Sequence, residues 1–155
     1  MKKITSVILA IALIFALAVT AMAAEIADCT VSADSVSATA GGTVTVPIRI
    51  SGNRGFTNFG IALDYDREQL ELLSIQTAEG ETPYLCGTTV AVNTQWTGTD
   101  EKTFGYVTAA LEEAATADGI LFTATFRVSG DFSGTAAVQP VVQYMRSNKR
   151  LLSVF

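Results

Sequence analysis

Carboxylates are the only plentiful groups in this chain with catalytic or metal-binding chemistry. There are fifteen Asp and Glu, two Cys and no His among 155 residues. Without histidine, Ser–His and Cys–His nucleophilic arrangements and His-based metal sites are excluded. Asp64, Asp66 and Glu68 alternate like the start of a helix–loop–helix calcium loop. Such a loop needs glycine at its sixth position and glutamate at its twelfth, where this sequence has Gln69 and Ile75. The three acids therefore read as solvated groups at a strand end and turn. Glu112-Glu113 and Asp100-Glu101 are adjacent pairs. Neighbours on a strand point to opposite faces, so neither pair can flank one glycosidic bond. No catalytic residue and no metal ligand set is assigned, and no cofactor is expected.

Aromatic groups give a second kind of chemistry. A sugar-binding platform needs several exposed rings in one plane. Trp96 is the only tryptophan and lies in the polar stretch 93–102, where exposure and packing beneath a loop are both open. Tyr65 follows the apolar phase of its strand and belongs to the core. Cys29 and Cys86 leave two readings open. One is a disulfide closing a 57-residue loop, and the other is two separate half-buried thiols.

The elements that position these groups are short strands. Val44, Val46, Ile48 and Ile50 alternate with polar or small neighbours. So do Phe59, Ile61, Leu63 and Tyr65, then Val107, Ala109 and Leu111, then Phe122, Ala124, Phe126 and Val128. Period two with one apolar face is the pattern of antiparallel sheets packed face to face. Gly41-Gly42, Ser51-Gly52-Asn53, Glu79-Gly80, Asp118-Gly119 and Ser129-Gly130-Asp131 mark turns between them. Residues 66–73 allow one helical turn capped by Asp66, leading into a strand at 72–76. The fold class is all-β, a sandwich or jelly roll.

Residues 1–23 read as a signal peptide. Lys2-Lys3 precede an apolar run at 4–19, and Ala21-Met22-Ala23 has small residues at signal-peptidase spacing. Residues 24–155 then form one secreted, extracellular domain of bacterial type, with no membrane attachment after cleavage. Losing the two lysines moves the net charge from −5 to −7. Such acidity gives no electrostatic footprint for nucleic acid.

The order of segments resembles a cohesin domain. Ala40-Gly41-Gly42-Thr43-Val44-Thr45-Val46-Pro47-Ile48 is similar to the cohesin opening A-x-x-G-D-T-V-x-V-P-V. Gly55-Phe56-Thr57-Asn58-Phe59, Leu63-Asp64-Tyr65-Asp66 and Leu70-Glu71-Leu72 resemble the following strand and Y-D-P-x-x-L-E turn. Ala110-Leu111-Glu112-Glu113 and Asp118-Gly119-Ile120-Leu121-Phe122 resemble the F-A-E-D and D-G-V-L-F pair. Gly42 replaces the usual Asp and Arg67 the usual Pro, and cohesins are generally cysteine-poor. The resemblance implies a jelly-roll β-sandwich of about nine strands in two sheets, immunoglobulin-like or carbohydrate-binding-module-like in architecture, with a last strand reached through a glycine-containing turn. This sequence closes instead on Leu151-Leu152-Ser153-Val154-Phe155.

The resemblance also implies a function without catalysis, the docking of calcium-loaded dockerin modules borne by polysaccharide-degrading enzymes in cellulosome-type assembly, here by a monomer. The solvent phase of the strands outlines a face of Asn58, Gly60 and Ala62 beside Thr108, Ala110 and Glu112. Leu121 and Thr123 join it if their strand is a neighbour. Small residues of low side-chain entropy suit docking of a rigid partner. Cohesins match Asn58 and Glu112 with partner-contacting residues, and often carry an acid where Gly60 stands. A carbohydrate-binding module and a structural or adhesion domain are the alternatives, and retention on cellulose or xylan separates the first of these.

Overall fold

The computed structural model describes residues 29–87 and 89–147. Residues 1–28, which include the expected signal peptide, and residues 148–155 lie outside the described residues. β1 (Thr30–Ala33), β2 (Thr43–Ser51), β3 (Phe56–Tyr65) and β4 (Leu70–Gln76) open the fold. A two-residue pair follows, β5 (Ala78–Glu79) and β6 (Thr82–Pro83). β7 (Val90–Thr97), β8 (Thr103–Ala115), β9 (Gly119–Val128) and β10 (Val138–Arg146) complete it. No helix occurs among the described residues, so none is long and apolar enough to cross a membrane.

Two four-stranded antiparallel sheets form the jelly-roll sandwich, ordered β1-β2-β9-β4 and β10-β3-β8-β7. The period-two residues meet between them. Ile48, Ile50, Phe122 and Phe126 from one sheet are fully buried with Phe59, Ile61, Leu63 and Val107 from the other. Tyr65 joins the core as expected, edge-on to Phe126 at 5.0 Å and to Phe104 at 5.5 Å between centroids. Such T-shaped pairs add to the burial energy of each ring.

The turn before β4 has the expected cap. Asp66 Oδ1 accepts the Glu68 N–H at 2.9 Å, and the Asp66 carbonyl accepts Gln69 N–H and Leu70 N–H. The strand starts at Leu70, two residues earlier than the pattern predicts, because the Leu70 and Leu72 side chains both enter the core.

Cys29 and Cys86 are not bonded to each other. Cys29 Sγ lies 3.5 Å from Met145 Sδ, and Cys86 Sγ donates to the Thr77 carbonyl at 3.5 Å. Of the two open readings, the structure holds separate thiols, and both are buried more deeply than the expected half-burial. Burial pushes the Cys86 thiol up to about 11.

Candidate functional site

The outer face of the β10-β3-β8-β7 sheet carries most of the residues singled out in the sequence. Cross-strand register sets them side by side: Asn58 faces Ala110, Gly60 faces Thr108, and Ala62 faces Tyr106. Ala110 and Glu112 are exposed, and Asn58 and Thr108 are half-buried. Asn58 Oδ1 is buried without a hydrogen-bond partner among the described residues. A desolvated carbonyl of that kind costs about 1–3 kcal/mol.

Two parts of the expected face are corrected. Leu121 and Thr123 lie on β9, which pairs with β2 and β4 in the opposite sheet. The register steps from Ile48–Phe122 to Arg49–Ile120, so Leu121 falls in a bulge. Its side chain is fully buried, and Thr123 is 6% exposed. The condition for including them, a neighbouring strand, is not met. Gly60 and Ala62 point outward, yet both are buried. What covers Gly60 is aromatic. A Cβ on Gly60 would overlap Tyr106 Oη and fall 2.5 Å from Tyr144 Cε1.

Tyr144 comes from β10, where it pairs with Gly60. A bulge between Val142 and Tyr144 shifts the strand's phase, so simple alternation from Val138 does not reveal which way Tyr144 points. Its hydroxyl lies 2.7 Å from Thr108 Oγ1, which also donates to the Phe59 carbonyl at 3.0 Å. Arg146 sits over the Tyr144 ring with its guanidinium carbon 5.2 Å from the centroid. On the other flank Trp96 packs against Tyr106, with centroids 5.3 Å apart and planes inclined by 35°. Trp96 is thus half-buried on a neighbouring ring, combining its two open readings. Burial, then the neighbouring Tyr144 phenol, raises the Tyr106 phenol above its ordinary value.

The acid clusters serve turns. Asp100 Oδ1 accepts from Lys102 N–H, Thr103 N–H and Thr103 Oγ1. Those bonds, the one from Lys102 first, hold its carboxyl below the usual range. Asp118 receives Gly52 N–H and Asn53 N–H, while the Asn53 amide donates to the Ala115 and Ala117 carbonyls. This clasp ties two loops at one end of the sandwich. No group of three or more metal-ligating side chains is assembled among the described residues. Among the described residues, no hydrogen bond on this face joins a nucleophile to a base. The face can bind, by shape, stacking and hydrogen bonds.

The family model for the cohesin domain matches residues 29–146, the whole of the described sandwich. The chain belongs to the cohesin domain family. Solved structures agree on the fold. A cohesin in a type I cohesin–dockerin complex from Clostridium thermocellum, that of OlpC, is 18% identical with a TM-score of 0.65, covering 84% of this chain and 91% of that one. A second such complex from the same organism, that of OlpA, is 17% identical with a TM-score of 0.63, covering 82% and 99%. The sixth cohesin of Acetivibrio cellulolyticus scaffoldin B, in complex with a Cel5 dockerin, is 20% identical with a TM-score of 0.64, covering 82% and 92%. Among curated proteins no match is found.

Proposed function

We propose that this cohesin docks a dockerin module through the outer face of the β10-β3-β8-β7 sheet, as an extracellular interaction module without catalytic activity. The observation that carries the reading is the cohesin match across residues 29–146, the whole described domain. Related cohesins of the same fold form complexes with dockerins. Asn58 and Ala110 pair across β3 and β8 on the face where the family resemblance puts partner contacts, and Glu112, two residues beyond Ala110, is exposed. A donor from the partner would satisfy the lone Asn58 Oδ1.

The dockerin is expected to be calcium-loaded and attached to a secreted polysaccharide-degrading enzyme. Chelation should abolish binding through the dockerin's loops rather than through this chain. Residues 1–23 act as the signal peptide, and the mature cohesin is a secreted monomer.

Ala110→Arg tests the docking face. Ala110 is exposed, so the substitution should change stability by no more than about 0.5 kcal/mol. At the centre of an interface the guanidinium would be buried without a partner, which costs several kcal/mol. Dockerin binding should fall more than about a hundredfold, that is by more than about 2.7 kcal/mol. Normal binding by a folded Ala110→Arg protein would place the interface elsewhere.

A further inference from the structure

Arg146 carries its charge back over the outer face. It ends β10, where it pairs with Asn58, and Tyr144, two residues earlier, pairs with Gly60. The Arg146 side chain folds onto the Tyr144 ring, with Cζ 5.2 Å from the centroid. That ring covers Gly60, since a Cβ there would fall 2.5 Å and 3.0 Å from two of its carbons. Both ends of the arrangement are anchored. The Tyr144 hydroxyl lies 2.7 Å from Thr108 Oγ1. The buried Thr57 hydroxyl donates to the Arg146 carbonyl at 3.2 Å.

The guanidinium has no carboxylate partner among the described residues. The ion pairs found there join Arg49 to Asp34 and Arg127 to Glu71, and Arg49, Arg127 and Glu71 stand on the opposite sheet. Arg146 is exposed. Its neighbours across β3 and β8 are Asn58, Gly60, Thr108 and Ala110, none of them charged. Asn58 Oδ1, on the paired residue, has no hydrogen-bond partner, so the guanidinium does not serve it either. A ring attracts a cation without giving its N–H donors an oxygen to bond. An arginine already laid against a ring also has less side-chain freedom to lose on binding. A partner that covered this charge without answering it would bury an unpaired cation, whereas a carboxylate can take two parallel N–H bonds from it.

We propose that Arg146, held over Tyr144, is a specificity-determining residue of the docking face, and that it selects dockerins presenting an Asp or Glu carboxylate at this point. This rests on the reading that the face docks a dockerin.

The test is calorimetric titration of this cohesin with a panel of calcium-loaded dockerin modules, followed by charge exchange between the partners. For a dockerin that binds, Arg146→Glu should weaken affinity more than about tenfold, because two carboxylates then meet in the interface. Each Asp and Glu of that dockerin outside its calcium-binding loops is then replaced by Lys in turn. One of these variants should bind the native cohesin weakly and regain about tenfold or more with Arg146→Glu. An unchanged melting temperature shows that Arg146→Glu stays folded, as expected for an exposed position. Normal binding by Arg146→Glu, to a dockerin that Ala110→Arg does block, overturns the role of Arg146 and leaves the docking face standing. A loss that no Lys variant restores overturns the carboxylate partner in the same way. Normal binding by both Arg146→Glu and Ala110→Arg, or binding to no dockerin in the panel, overturns the docking reading and this inference with it.

Discussion

Gly60→Ala isolates the aromatic roof from the rest of the sandwich. The added Cβ would overlap Tyr106 Oη and lie 2.5 Å and 3.0 Å from two carbons of the Tyr144 ring. All three atoms belong to side chains that can swing outward, so the backbone need not move. Swinging them breaks the Tyr144–Thr108 hydrogen bond and the Trp96–Tyr106 ring contact, at about 1 kcal/mol each. Replacing glycine within a strand returns roughly 0.5–1 kcal/mol in lost chain entropy. The net should be a destabilisation of about 1–1.5 kcal/mol, lowering the melting temperature by roughly 4–6 °C for a domain of this size. Differential scanning calorimetry measures it, and near-ultraviolet circular dichroism should lose the tyrosine and tryptophan bands of the packed cluster. The cost should shrink in a Tyr106→Phe background, where the overlapping oxygen is gone. That non-additivity identifies the residue responsible. A Gly60→Ala protein as stable as the parent, with unchanged aromatic bands, would refute the reasoning.

Other expectations are more direct. Cys29 and Cys86 are buried, so a thiol reagent at neutral pH should label neither in the folded protein and both after unfolding; fast labelling of native protein would contradict the burial. Because the Cys86 thiol is raised from 9.0 to about 11 in the fold, the unfolded chain loses its proton first, and stability should fall as pH rises from about 9 to about 11. Urea denaturation midpoints across that window check the sign. Gly105 has φ +60°, and a Cβ there would come within 2.6 Å of Leu72 Cδ2; Gly105→Ala should cost about 2–4 kcal/mol from strain and overpacking combined, read from the same denaturation curves. Mass spectrometry of exported protein should find a mature chain beginning at Ala24, and an intact Met1 in that fraction would exclude the signal peptide.

The sequence revealed faces more readily than neighbours. Alternation at 44–50, 59–65 and 122–128 assigned inward side chains correctly because a strand's period is local. The same alternation carries no information about which strand lies alongside. Thr123 and Leu121 were therefore grouped with a sheet that β9 does not join. The bulges hid two further residues. Leu121 turns inward at one, and Tyr144 follows another, so neither sits where simple parity would put it. Gly60 and Ala62 looked like open ground because a small residue reports its own size and not the reach of Tyr106 and Tyr144 beside it. The turn chemistry was legible: Asp66 was readable as a cap from its position before the acidic turn, and Asp118-Gly119 as a turn.

The contact between Cys29 and Met145 has a mechanical consequence. It brings the start of β1 and the end of β10 together at one corner of the sandwich. A load applied between residues 29 and 146 therefore does not stretch the sandwich along its strands. It pulls on β1 from its tip, and β1 is held to β2 by an antiparallel ladder of four residue pairs. Bonds lying across the strands then part in succession, as a zipper opens, instead of resisting together in shear. The other end of such a load acts through Arg146 on β10, which pairs with β3 and so belongs to the sheet that carries Tyr106 and Ala110.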